Sequence, residues 1–177
     1  MRAIVCLLLL ALHTAVSAAS LGDFASALAV PANAKHLANN WNALKPIKGV
    51  TWREMALKEA PSAFAQEGNF ALTNHGRATV LVVGARQMMF DVEISIPQVV
   101  EKKGLAQTLK AQFSPATLIE QLGGECRRRS GSSRVYRVTL PSKRPLFMRL
   151  EGLTGSSAAT SITKFTLSID NKPQWAC

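Results

Sequence analysis

Three stretches in the last third of the chain alternate apolar and polar residues with a period of two. Tyr136, Val138 and Leu140 alternate with Val135, Arg137 and Thr139. Leu146, Met148 and Leu150 share one face, as do Thr163, Phe165, Leu167 and Ile169, with Lys164, Thr166 and Ser168 on the other. A fourth such stretch lies earlier, where Phe90, Val92, Ile94 and Ile96 alternate with Asp91, Glu93 and Ser95. Successive side chains of a strand point to opposite faces, so each stretch reads as a half-buried strand with one wet face. Ala78 to Ala85, apolar and β-branched, reads as a buried strand, Phe70 to Leu72 as a short one, and Asn74-His75-Gly76 as a turn.

Helix signals lie between these runs. Leu21 to Val30 is short, apolar and Ala-rich, and Pro31 ends it. Leu37, Trp41 and Leu44 share one helical face of 35–44. Thr51-Trp52-Arg53-Glu54 has capping-box form, and a helix from Thr51 would run to about Ala60, before Pro61. Val99 to Gln112 is ambiguous, with Leu105 and Leu109 favouring a helix interrupted at Gly104. Ser114-Pro115 supplies a cap residue followed by proline at the first helical position; Leu118, Ile119 and Leu122 would form the apolar face and Gly123 the C-terminal cap.

The expected fold class is therefore α+β: an antiparallel sheet with helices packed on one face and one disulfide. Capped helices from Thr51 and Ser114, each followed by strands, suggest two tandem α-β-β-β units as pseudo-repeats over 49–97 and 105–177. That arrangement resembles the tandem α+β modules of the secreted β-lactamase inhibitor protein and of small outer-membrane assembly lipoproteins, in architecture and not in residue motifs. The expected organisation is a signal peptide over 1–18, an N-terminal helical segment over 19–48 and a single α+β domain over 49–177.

The address follows from the first residues. Met1-Arg2 precedes an apolar run from Ile4 to Val16, and Val16-Ser17-Ala18 and Ser17-Ala18-Ala19 both fit a small-x-small cleavage site. Cleavage after Ala18 or Ala19 is expected, giving a periplasmic or secreted protein. No later stretch reaches the roughly 20 apolar residues of a membrane span. The absence of any Asn-x-Ser/Thr acceptor in an Ala-rich chain leans towards a bacterial envelope. In an exported chain the two remaining cysteines, Cys126 and Cys177, most simply pair.

The charge is uneven. From Ser20 to Glu125 there are 10 Lys/Arg against 9 Asp/Glu; from Cys126 to Cys177 there are 10 against 2. Arginine suits phosphate and carboxylate recognition. Arg127, Arg128, Arg129, Arg134 and Arg137 are therefore the candidate partner-binding residues. Partners expected of such a field are an envelope or secreted protein, or an anionic glycan or lipid, rather than nucleic acid.

Catalytic motifs are sparse. His36 and His75 lack metal-ligand spacing, and no metal or cofactor is expected. Ser161-Ile162-Thr163-Lys164 has the Ser-x-x-Lys spacing, but in a strand residues i and i+3 point to opposite faces. Ser130-Gly131-Ser132-Ser133 with Tyr136 resembles the inhibitory loop of bacterial inhibitors of C-type lysozyme over seven residues, departing at the fourth. The functional expectation is a non-enzymatic binding protein of the bacterial envelope contacting a protein partner, in an inhibitor, immunity or assembly role. The alternatives are a binder of anionic glycan or lipid head groups, or an enzyme without a recognisable motif.

Overall fold

The computed structural model describes residues 18–33, 41–55, 63–85, 88–98, 100, 102–128, 131–153 and 162–169. They form three helices, α1 (Leu21–Leu28), α2 (Trp41–Leu44) and α3 (Lys102–Gln112). They also form eight strands: β1 (Thr51–Glu54), β2 (Ala63–Leu72), β3 (Gly76–Ala85), β4 (Met88–Ile96), β5 (Leu118–Arg128), β6 (Gly131–Thr139), β7 (Leu146–Leu153) and β8 (Ile162–Ser168).

All eight strands belong to one antiparallel sheet ordered β1-β2-β3-β4-β8-β7-β6-β5. It consists of two four-stranded meanders that meet where β4 pairs with β8. At this seam Val92 faces Leu167 and Ile94 faces Phe165. Val92, Ile94, Phe165 and Leu167 are each fully buried. The alternation along each strand sends Val80, Val82, Ile96, Val138, Leu146 and Met148 to the same cluster, so the core spans both meanders.

The helices are short and few. α1 starts with a capping box: Ser20 Oγ accepts from Asp23 N at 3.2 Å, and Asp23 Oδ2 accepts from Ser20 N at 2.7 Å. Its Leu21, Phe24, Ala25 and Leu28 are buried, and the Phe24 ring lies 5.2 Å from that of Phe70 on β2. In α3, Leu105 and Leu109 are buried, and Gly104 does not interrupt the helix.

The expected α+β architecture, with helices packed on one face of a sheet as two α-β-β-β units, is corrected by this topology. Among the described residues, neither Thr51 nor Ser114 starts the helix expected of it. Thr51–Glu54 is an edge strand in register with Asn69 to Gln66; the β-branched threonine and the tryptophan suit a pleated surface. Trp52 meets Trp41 edge-on, with centroids 4.7 Å apart. The remainder of that expected helix, 56 to about 60, lies outside the described residues. Ser114-Pro115 makes a turn, closed by Thr117 N donating to Ser114 O at 2.9 Å, and the chain leaves it as β5. Gly123 does adopt positive φ, +71°, but within a break in the β5–β6 register between Leu122 and Cys126. Cys126, buried in β5, is disulfide-bonded, and its expected partner Cys177 lies outside the described residues. Residues 1–17, including most of the expected signal peptide, also lie outside.

Candidate functional site

The five arginines singled out from the sequence do not form one cluster. β5 and β6 are paired across the sheet edge, with Arg127 opposite Ser132 and Arg128 opposite Gly131, and consecutive residues face opposite sides. Arg134 shares its side with Tyr136 and Val138, towards the core. Arg137 falls on the other side, where it pairs with Glu120 on β5 at 3.2 Å. Arg128 is exposed, and Arg129 lies outside the described residues. The run that resembled an inhibitory loop is strand β6 from Gly131 onwards.

Glu125 gathers the inward pair. Its Oε1 accepts from Arg134 Nη2 at 2.9 Å, and its Oε2 accepts from Arg127 Nε and Nη2, both at 3.2 Å. Arg134 is only 11% exposed at its side chain, whereas Arg127 is 76% exposed, so the Arg134 pair is the better shielded from solvent. Burial pushes the Glu125 carboxyl up, but bonds from Arg127 and Ser132 and the charge of Arg134 outweigh it and hold it below its ordinary value. Burial pushes the Tyr136 hydroxyl up, against the opposing charge of Arg134.

These groups edge a cavity of about 630 Å³. α3 contributes Leu105, Ala106, Leu109 and Lys110; β5 contributes Ile119, Gln121 and Glu125; β6 contributes Arg134 and Tyr136. The volume lies within the roughly 300–1,000 Å³ of small-molecule sites. Leu105, Leu109 and Ile119 make apolar walls, while Arg134 and Lys110 supply positive charge. The alternation along β6 anticipates the inward side chain of Tyr136, but the partnership with Glu125 has no such signal. It depends on a carboxylate placed after the Gly123-Gly124 irregularity, which local periodicity does not register.

The other residues considered for chemistry stand apart. His75 sits in the β2–β3 turn, its Nδ1 3.0 Å from Gln98 Nε2, and burial lowers its pKa. His36 and Ser161 lie outside the described residues, while Lys164 on β8 pairs with Glu93 and Glu151. Among the described residues no three His, Cys, Asp or Glu side chains group as metal ligands.

Compared with protein-family models, curated protein sequences and solved structures, the chain matches none.

Proposed function

We propose that this chain is an exported, non-enzymatic binding protein whose ligand is a single-chain amphiphile with an anionic group. The observation carrying this reading is the 630 Å³ cavity, walled by Leu105, Leu109 and Ile119, with Arg134 and Lys110 among its lining. An acyl chain would exchange water for those apolar walls, gaining about 0.8 kcal/mol per buried CH₂. The anionic group would lie against Arg134 and Lys110. Glu125 already engages Arg134, so the ligand's negative group would share or displace that contact, making a charge-assisted bond. The lining offers a tyrosine held protonated and a carboxylate held ionised, a pair suited to fixing a ligand in place. The expected export, from the N-terminal apolar run, would put the protein where amphiphiles of the bacterial envelope are its surroundings.

The test is a fluorescence titration of the mature protein with 11-(dansylamino)undecanoate, followed by displacement with palmitate. Saturable binding is expected, with displacement by palmitate and weaker displacement by hexadecanol, which lacks the anionic group. Filling the cavity with Ile119→Trp should weaken binding about tenfold or more. A folded wild type that binds neither probe saturably refutes the reading.

A second reading, a protein partner, is favoured by β5. It is an edge strand of 11 residues, and Leu118 upon it is 71% exposed. An unpaired edge can add a strand from another chain. A partner bound in this way would be weakened by Leu118→Asp, at the exposed side chain of that edge, and would be indifferent to palmitate.

A further inference from the structure

The face of the sheet opposite the core carries a line of ionised groups across β4, β8 and β7. Lys164 Nζ lies 3.5 Å from Glu93 and 3.4 Å from Glu151, and Arg149 Nη2 lies 2.7 Å from the other oxygen of Glu151. Both oxygens of Glu151 are thus engaged by cations. Arg149 is different: its side chain is only 18% exposed, and its Nε–H is buried without an acceptor. A buried charged donor without a partner is rare in a folded protein and calls for an explanation.

Beside it lies a cleft of about 60 Å³, whose lining includes Arg128, Gly131, Ser132, Ser133, Arg149 and Glu151. The register builds this juxtaposition. Arg128 pairs with Gly131, Gly131 with Leu153, and Ser133 with Glu151, so the β5–β6 hairpin end lies alongside the second half of β7. Gly131 permits the close approach: at its φ of +143° an added Cβ would fall 1.8 Å from Gly152 O. The exposed guanidinium of Arg128 and the sheltered one of Arg149 therefore line the same small space. A space of about 60 Å³ is more than a single water needs and is on the scale of one compact oxyanion.

We propose that this cleft is a binding site for a tetrahedral oxyanion, a phosphate or sulfate group, on the side of the sheet away from the cavity. Arg149 Nε–H donates one bond to it and Arg128 supplies a second cation at the cleft's open side. Arginine's fixed fork of donors fits such a group, and bonds to ionised acceptors are the strong ones. The two carboxylates of the ion line, Glu93 and Glu151, are outnumbered by Arg128, Arg149 and Lys164, so the field admits an anion. The site stands independently of the amphiphile reading, because it shares no residue with the 630 Å³ cavity.

The proposal is tested by calorimetric titration of the mature protein with inorganic phosphate and inorganic sulfate at low ionic strength. Saturable 1:1 binding is expected. Arg149→Lys keeps the charge but removes Nε–H, and should weaken binding about tenfold. Arg128→Ala, at an exposed position where stability should stay within about 0.5 kcal/mol, should weaken it about fivefold. Arg137→Ala, paired with Glu120 elsewhere on the same face, should leave it within about twofold. Flotation with phosphatidylcholine vesicles containing phosphatidate distinguishes the sources: Arg128-dependent flotation supports a lipid phosphate, and calorimetric binding without flotation supports a soluble one. No saturable binding by the wild type, or wild-type affinity in both Arg149→Lys and Arg128→Ala, overturns the proposal.

Discussion

Gln112 closes α3 and ties three elements together with one side chain. It is 1% exposed. Its Oε1 accepts from Leu21 N, the first free N–H of α1, at 3.1 Å, and its Nε2 donates to Thr73 O in the β2–β3 turn. Replacing it by methionine conserves most of the volume and removes both bonds. A buried N–H and a half-buried carbonyl are left without their partner, each costing about 1–3 kcal/mol, so Gln112→Met should lose about 3 kcal/mol. For a chain of this size each kcal/mol moves the midpoint by about 2–4 °C, giving a fall of about 6–12 °C. Urea unfolding followed by tryptophan fluorescence measures the loss directly. Gln107→Met, exposed on the same helix, should stay within about 0.5 kcal/mol. A loss below about 1 kcal/mol for Gln112→Met would show that neither bond matters to the docking of α1, and the reasoning would fail.

Three further outcomes follow from particular residues. The Glu125 carboxyl, held below its ordinary value of 4.5, binds fewer protons in the folded state than in the unfolded one. It therefore adds stability above about pH 4.5 that drains away as pH falls through its lowered pKa; in Glu125→Gln the acid limb of a stability–pH curve should flatten. Gly131→Ala places a methyl 1.8 Å from Gly152 O and should cost at least about 2 kcal/mol by urea unfolding, whereas Gly124→Ala, with open space around it, should cost about 0.5 kcal/mol or less. Ala19 is 1% exposed, donates to Ala71 O at 2.9 Å and accepts from Thr73 N at 2.9 Å. On the proposed export, N-terminal sequencing of the processed chain should therefore read from Ala19, since cleavage after it would remove these contacts; a first residue of Ser20 refutes this.

The strands that pack the core were legible because alternation is a direct projection of the pleat onto sequence. Val92, Ile94 and Ile96, or Leu146, Met148 and Leu150, need no knowledge of the rest of the chain to be assigned a common face. The helices misread from Thr51 and Ser114 share a different cause. A capping box or a Ser-Pro step specifies how a helix would start, but not that one does. Cooperative helix formation needs either length or a buried stripe. Thr51–Glu54 instead finds a ladder partner in β2, and Leu118 to Leu122 finds one in β6. Leu118, Ile119 and Leu122 satisfy helical spacing on paper, yet Leu118 is 71% exposed while Ile119 is half-buried, the alternation of an edge strand. Tertiary pairing, which no local window contains, settled both segments.

The same pleat explains why charge density along the chain was a poor guide to charge density in space. Arg127 and Arg128 are adjacent in sequence but point to opposite sides of the hairpin, and Arg134 and Arg137 are parted similarly along β6. What reads as one basic turn becomes two separate environments. Inward, Glu125 pairs with Arg127 and with Arg134, and Arg134 lines an apolar cavity. Outward, Arg128 joins Arg149, 21 positions further along, beside a cleft where an arginine N–H lacks an acceptor. A triple Arg127/Arg128/Arg129→Ala variant would strike both sides at once and could not assign a loss to either. Arg134→Gln and Arg149→Lys separate them: the first should weaken dansyl-undecanoate binding alone, and the second phosphate binding alone. Loss of both ligands in either single variant, with the fold intact, would show that the two sides of the sheet act as one site.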